Sequence, residues 1–231
     1  AEDNEASIPR YLEEQDLIKF KNYKPENERE ELAKDLWFFS YYCGGINMVD
    51  LVNLRKSNIQ KEHNTLVFFR TKNRNKKTKT PSRVPLTKEA DELFEKYKMD
   101  TNLKWANKMN WKDGLEIMLK SDSISGVRME SYLLRFHRES KNIDNTASNL
   151  RSRINDELYL KSIAKKLELK ESLNYQMARH TFATNLLRTM SEKDKPIRTL
   201  MSILGHASQK STENYINKLK AKDVKKHMEK I

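Results

Sequence analysis

Only one pair of neighbouring segments in this 231-residue chain is written as β-strand, and that restricts the fold more than any other feature. "TLVFFRTKN" (65–73) concentrates β-branched and aromatic residues, and "SRVPL" (82–86) reads as its partner, so the two close a small hairpin. The other patterned segments repeat at helical spacing. "REELAKDLWFFSYYC" carries Leu32, Leu36, Trp37, Phe39 and Tyr41 on a helix that Gly44 and Gly45 end. "NMVDLVNLRKSNI" resumes as a short helix with Asn47 as its cap. "TKEADELFEKYK" starts a helix at Thr87, and "DELYLKSIAKKLEL" and "LNYQMARHTFATNLLRT" follow as two more. Pro196 opens "KPIRTLMSILGH", Gly205 closes it, and "STENYINKLKAKDVKKHMEKI" is a basic terminal helix or helix pair. Five Gly and five Pro are few, which favours helix over sandwich or barrel. The expected fold is mainly α with a small antiparallel β-sheet, an α+β arrangement.

Charge narrows the partners. Forty-five Lys and Arg against 33 Asp and Glu leave a net charge of +12, with a pI near 9.5. Such a chain suits a polyanion: nucleic acid first, an anionic membrane surface second. No apolar run reaches spanning length. Cys43 stands alone, so neither an internal disulfide nor a cysteine-based metal site is available. From 70 to 83 there are seven basic residues and no acidic ones: Arg70, Lys72, Arg74, Lys76, Lys77, Lys79 and Arg83. A solvated turn has that composition too. With the overall charge, the segment reads as a hairpin laid against phosphates.

Two further stretches carry side chains suited to a phosphate. "ARHTFATNLL" (178–187) holds Arg179, whose planar fork donates bidentately and keeps its charge. His180 beside it reads as a buried, hydrogen-bonded histidine. "LGHASQKSTENYI" (204–216) brings His206 after a helix-ending glycine and Tyr215 nine residues on. Each alone has an ordinary structural explanation: Arg paired to Glu on a helix face, His at a helix C-terminus, Tyr in packing.

Together they resemble the tyrosine recombinases of the phage integrase family, whose signature runs His/Lys-x-x-Arg, Leu-Gly-His and then a nucleophilic Tyr. Arg179, Leu204-Gly205-His206 and Tyr215 match in order and spacing, and "RVPLT" (83–87) matches the strand after the family's lysine-bearing hairpin. The resemblance covers about residues 30 to 220, most firmly 174 to 216, and its style is that of integrases of Bacteroides-type mobile elements. It implies an integrase-like catalytic fold without metal or other cofactor. Tyr215 would attack a scissile phosphate and form a 3′-phosphotyrosyl link. Arg179 and His206 would grip the phosphate. Lys77 in "KKTKTPSRVPL" would protonate the leaving 5′-oxygen, with Lys79 and Lys72 as substitutes.

Two positions depart from the family pattern. Asn47 in "GGINMVD" stands where the family has its first Arg, so a clamp worth roughly 3 to 4 kcal/mol is replaced by a neutral amide. Another Arg, such as Arg55, would have to compensate. Gln176 stands in the His/Lys position three before Arg179. These departures support a rival reading, a catalytically impaired DNA-binding relative acting as accessory or regulator. A type IB topoisomerase is a third.

The expected organisation is a lead-in over 1–28, a catalytic domain over 29–216 with a helical insertion at about 100–150, and a basic tail over 217–231. The first residues, "AEDNEAS", lack Met, so an N-terminal DNA-binding domain is expected to precede them. The resemblance further implies double-stranded DNA as partner, a monomer free in solution, a homotetramer on DNA, no membrane, and a bacterial cytoplasmic, nucleoid-associated location.

Overall fold

The structure, a computed structural model, describes residues 9–73, 80–97, 143–191, 193, 195–206 and 208–228. Its centre is α2 (Glu28–Tyr42). Asn27 starts this helix, its side-chain oxygen accepting from the N–H groups of Arg29 and Glu30 at 3.0 Å each. Glu28, Glu30 and Glu31 occupy the first turn, where the helix dipole favours negative charge. Leu32, Ala33, Leu36, Trp37, Phe38 and Phe39 are all buried, which covers most of the helix circumference. A helix apolar all round belongs inside, and α2 packs against α4 (Lys88–Tyr97), α5 (Ile143–Ile154), α6 (Leu160–Lys166) and α7 (Tyr175–Thr189). Phe20 and Trp37 meet edge to face at 5.1 Å, and Phe39 and Phe94 at 4.6 Å.

Phe20 belongs to α1 (Glu14–Asn22), inside the segment read from sequence as a lead-in. Tyr11 and Leu12 just before it are also buried, and the Leu12 N–H donates to Thr181 Oγ1 at 2.9 Å. This segment is therefore built into the core. Glu30 ties the same region down. Burial alone would raise its pKa, but hydrogen bonds from Lys166, Tyr23, the Glu26 N–H and Ser162 hold it at about 2.

The sheet has three antiparallel strands in the order β1 (Ile59–Gln60), β2 (Thr65–Phe68), β3 (Ser82–Pro85). The hairpin register pairs Thr65 with Pro85 and Phe68 with Ser82. Two details correct the sequence reading. The short helix after Asn47 is only α3 (Met48–Val52), and the chain then passes through a 3₁₀ turn (Lys56–Asn58) into β1. β2 stops at Phe68, and Thr71–Asn73 is a 3₁₀ turn held by the Asp50 carboxylate, which accepts from the Thr71 N–H at 2.7 Å. Asn47 does precede α3, but its side chain makes no capping bond.

The helix read over 156–169 shortens to α6, which starts only at Leu160 and ends at Lys166. Several other expected boundaries are present. Thr87 Oγ1 accepts from the Ala90 N–H at 3.3 Å at the start of α4. Gly44 and Gly45 end α2 with positive φ. Pro196 opens α8 (Pro196–Leu204), Gly205 closes it, and α9 (Gln209–Met228) is one continuous helix. A second cluster of Tyr11, Ala183, Leu200, Leu204, Ile216 and Leu219 packs α7, α8 and α9 together, and α8 also lies on β3. The proposed insertion at about 100–150 lies outside the described residues up to 142. Among the described residues no helix is long and apolar enough to cross a membrane, and no group of His, Cys, Asp or Glu is placed to hold a metal ion. Cys43 is buried and free.

Candidate active site

Three consecutive helices and one strand end deliver polar side chains to a single point. α7 begins where the Asn174 side chain accepts from the Met177 N–H at 3.2 Å, and the Asn174 carbonyl accepts from Trp37 Nε1 at 3.1 Å. Those bonds fix the start of α7 against α2. The loop after α2 is pinned too: the Ile46 carbonyl accepts from Ser40 Oγ at 2.8 Å and from Tyr175 Oη at 3.0 Å. Arg179, one turn into α7, then reaches that loop. Its Nη1 donates to the Gly45 carbonyl at 2.9 Å, and its Nη2 donates to the Leu204 carbonyl at 3.3 Å. A Cβ on Gly45 would lie 2.6 Å from Arg179 Cα, so the close approach requires glycine there.

Gly205 makes the turn that presents His206. Its φ is +60°, and a Cβ would lie 2.4 Å from Ser82 Oγ and 3.0 Å from Arg70 Cδ. His206 Nε2 lies 3.4 Å from Arg179 Nη2, and its Nδ1 lies 3.1 Å from the hydroxyl of the fully buried Thr212. Tyr215, one turn beyond Thr212 on α9, stands edge-on to His206 with ring centroids 5.9 Å apart. Its hydroxyl lies 2.7 Å from His180 Nδ1, and the two rings stack at 5.6 Å. Arg70, at the exit of β2, completes the group: its Nη1 donates to the same Leu204 carbonyl at 3.2 Å.

The electrostatics follow from this crowding. Burial pushes the Tyr215 phenol up to about 12, while the charges of Arg179 and Arg70 pull the other way. Burial and then the neighbouring Arg70 bring Arg179 down to about 10, opposed by Tyr215 and Asp50. Arg70 is lowered by burial, with Asp50 and Tyr215 opposing. Both guanidiniums stay charged at neutral pH, because arginine is not deprotonated in proteins. Among the described residues their hydrogen bonds go to carbonyl oxygens and an imidazole, none to a carboxylate. Two adjacent cations so arranged favour an anion between them.

Arg179, His206 and Tyr215, separated by up to 36 residues, therefore converge as the sequence predicts. Gln176 is exposed on α7, one helical turn before His180, and no hydrogen bond joins it to the cluster among the described residues. Asn47 is partly buried and brings no charge. Arg55 lies after α3, with its N–H bonded to Asn58 Oδ1 at 2.7 Å. Of the basic hairpin residues, Lys72 and Arg83 are exposed, while Arg70 is turned inward. Lys77, Arg74, Lys76 and Lys79 lie outside the described residues. Sequence reasoning missed His180 as a partner of Tyr215, Thr212 as a partner of His206, and the inward course of Arg70.

The fold has counterparts among solved structures. XerA recombinase aligns over 90% of this chain and 60% of its own, at 20% identity and TM-score 0.52. The Tn1549 transposon integrase in complex with circular intermediate DNA aligns over 92% of this chain and 64% of its own, at 14% identity and TM-score 0.58. XerH site-specific recombinase bound to a difH substrate, in a pre-cleavage complex, aligns over 94% of this chain and 52% of its own, at 16% identity and TM-score 0.52. At these identities the likeness is one of fold, and the chain spans less than two thirds of each of these proteins. No curated protein sequence matches the chain. The phage integrase family model matches residues 11–222, nearly the whole length, and takes in the buried Tyr11 as well as Tyr215. On that match the chain belongs to the phage integrase family.

Proposed function

We propose that this chain is the catalytic part of a site-specific DNA recombinase, cutting and rejoining DNA through Tyr215 to integrate or excise a mobile element. The observation that carries this is the convergence of the Tyr215 phenol, the Arg179 guanidinium and the His206 imidazole, with the phenol hydroxyl 2.7 Å from an imidazole nitrogen. A phenol held at about 12 is a poor nucleophile at neutral pH and needs a base in reach. His180 Nδ1 is that base. As it takes the proton, Tyr215 Oη bonds to the scissile phosphorus and the bond to the 5′-oxygen breaks. The 5′-oxygen takes a proton from a general acid, for which Lys77 is the proposed donor. The phosphotyrosyl ester conserves the bond energy, so attack by a 5′-hydroxyl reverses the step.

Arg179 grips the non-bridging oxygens, where its charge counts most as the phosphorus gains a fifth ligand. His206 is held for the same purpose. With Nε2 against a guanidinium, which cannot accept, its proton sits on Nδ1 and faces Thr212. The Thr212 hydroxyl can donate as well as accept, so it supports the other tautomer when Nε2–H turns to phosphate.

Double-stranded DNA as partner is supported by the +12 charge, and the transposon integrase and XerH are both seen in complexes with DNA. Exposed Lys72 and Arg83, together with Arg74, Lys76 and Lys79, are the proposed backbone contacts of the hairpin. Four protomers on two duplexes, a monomer off DNA, and a bacterial nucleoid location complete the proposal. Leu219 is buried in this chain's own second cluster, so the tail available to a neighbouring protomer starts at about residue 221. Deleting 221–231 is expected to weaken assembly on DNA while leaving that cluster intact; unchanged assembly in sedimentation would contradict it.

The experiment is covalent capture from a randomised library of nicked duplexes. SDS-resistant protein–DNA adducts are expected, converging on a common sequence. Salt-sensitive binding without adducts would favour the impaired DNA-binding relative instead.

A further inference from the structure

Asn47 leaves the site one guanidinium short of the family pattern, yet the cluster holds two. Arg70 and Arg179 both donate to the Leu204 carbonyl, at 3.2 and 3.3 Å. One carbonyl oxygen has two lone pairs, whereas each guanidinium has several N–H donors, so this shared carbonyl does not saturate the pair. Arg70 Nε is buried and has no partner among the described residues.

The backbone around Arg70 is held from two directions. The Thr71 N–H donates to the buried Asp50 on α3, and the Asn73 side chain donates to the Gly205 carbonyl at 3.2 Å. The absent Cβ of Gly205 leaves room for the Arg70 stem. Arg70 is thus tied both to the helix that Asn47 precedes and to the turn that presents His206. An exposed hairpin arginine needs none of this.

We propose that Arg70 is the second phosphate clamp of the active site, supplying from the exit of β2 the guanidinium that the Asn47 position lacks. The inference rests on the recombinase reading above. Arg70 gives and takes no proton in the cleavage step. It donates hydrogen bonds to the non-bridging oxygens while the Tyr215 Oη–P bond forms and the bond to the 5′-oxygen breaks, where a scissile phosphate of one negative charge gains a second.

The test is single-turnover adduct formation on a nicked duplex of the sequence that the wild-type chain traps, with the scissile link either a phosphodiester or a neutral methylphosphonate. Arg70→Ala and Arg70→Lys are compared with wild type at saturating protein, with thermal melting as the check on folding. A lost clamp is expected to slow adduct formation on phosphodiester about 10²- to 10³-fold, with Arg70→Lys in between. On methylphosphonate, which needs less charge neutralised, the deficit is expected to shrink to within about tenfold. Three results would overturn the inference while leaving the recombinase reading standing: a rate within about twofold of wild type; a loss confined to DNA affinity; or an equal deficit on both substrates with a lowered melting temperature. Absence of any wild-type adduct would overturn both.

Discussion

Arg179 and Arg70 meet on the Leu204 carbonyl from opposite parts of the fold, and the two parts are organised differently. The helical part, α7 to α9, places Arg179, His206 and Tyr215 by regular spacing and by one left-handed glycine. The strand part, α3 with β2 and β3, places Arg70 by a 3₁₀ turn whose anchors are Asp50 and Gly205, 155 positions apart in numbering. A phosphate site needs charge at a point in space, and a strand end can supply it as well as a helix. What differs is what each part tolerates. A helix keeps its residues on one face if its ends are capped. A strand exit needs its distant anchors.

Tyr215→Phe removes the proposed nucleophile and is expected to abolish adducts completely in SDS gels while DNA binding persists. His180→Ala should slow adduct formation about 10²- to 10⁴-fold. Without that base, bulk hydroxide must ionise a phenol held at about 12, so the variant's rate should climb close to tenfold per pH unit across the neutral and alkaline range. A flat profile would remove His180 from the role. Arg179→Ala is expected to cost about 10²- to 10³-fold, and its combination with Arg70→Ala should cost less than the product of the two, because both groups are proposed to serve one phosphate. Full multiplicativity in single-turnover rates would mean that they act on different atoms.

Gly205→Ala strikes both parts at once. A residue forced to φ +60° against Ser82 and Arg70 should destabilise the chain by roughly 1 to 3 kcal/mol and also slow cleavage at temperatures where it stays folded. The Glu30 knot is the remote contrast. Glu30→Gln should lower stability by about 2 kcal/mol, below the range for a fully buried pair because Lys166 is 34% exposed, with an unchanged saturating cleavage rate. Its folded pKa of about 2 lies below its ordinary 4.5. The stability it contributes is therefore present above about pH 4.5 and is lost as pH falls towards 2, a loss that denaturant titration of wild type against Glu30→Gln would measure.

Much of the helical part was legible in the sequence, because its signals are local. Gly44, Thr87, Pro196 and Gly205 stand at real boundaries, and the spacing of Arg179, His206 and Tyr215 survives folding. β1 was missed because two residues carry no alternation. Tyr11 and Leu12 were missed because a short apolar pair in a polar stretch has no period. Arg70 was hidden among seven basic residues, although a signal existed: in β2 the alternation puts Leu66 and Phe68 on the buried face, and the next step of two is Arg70. His180 had one as well, being one helical turn from Gln176 on the same face of α7. Neither signal has weight until the fold shows which face meets Tyr215.

The most direct measurement is to map the covalent bond itself. The wild-type adduct, digested with protease and nuclease, is expected to yield one nucleotide-bearing peptide by mass spectrometry, with the 3′-phosphate on Tyr215. A phosphate on another residue, or none on a chain that binds the same duplex, would contradict the account.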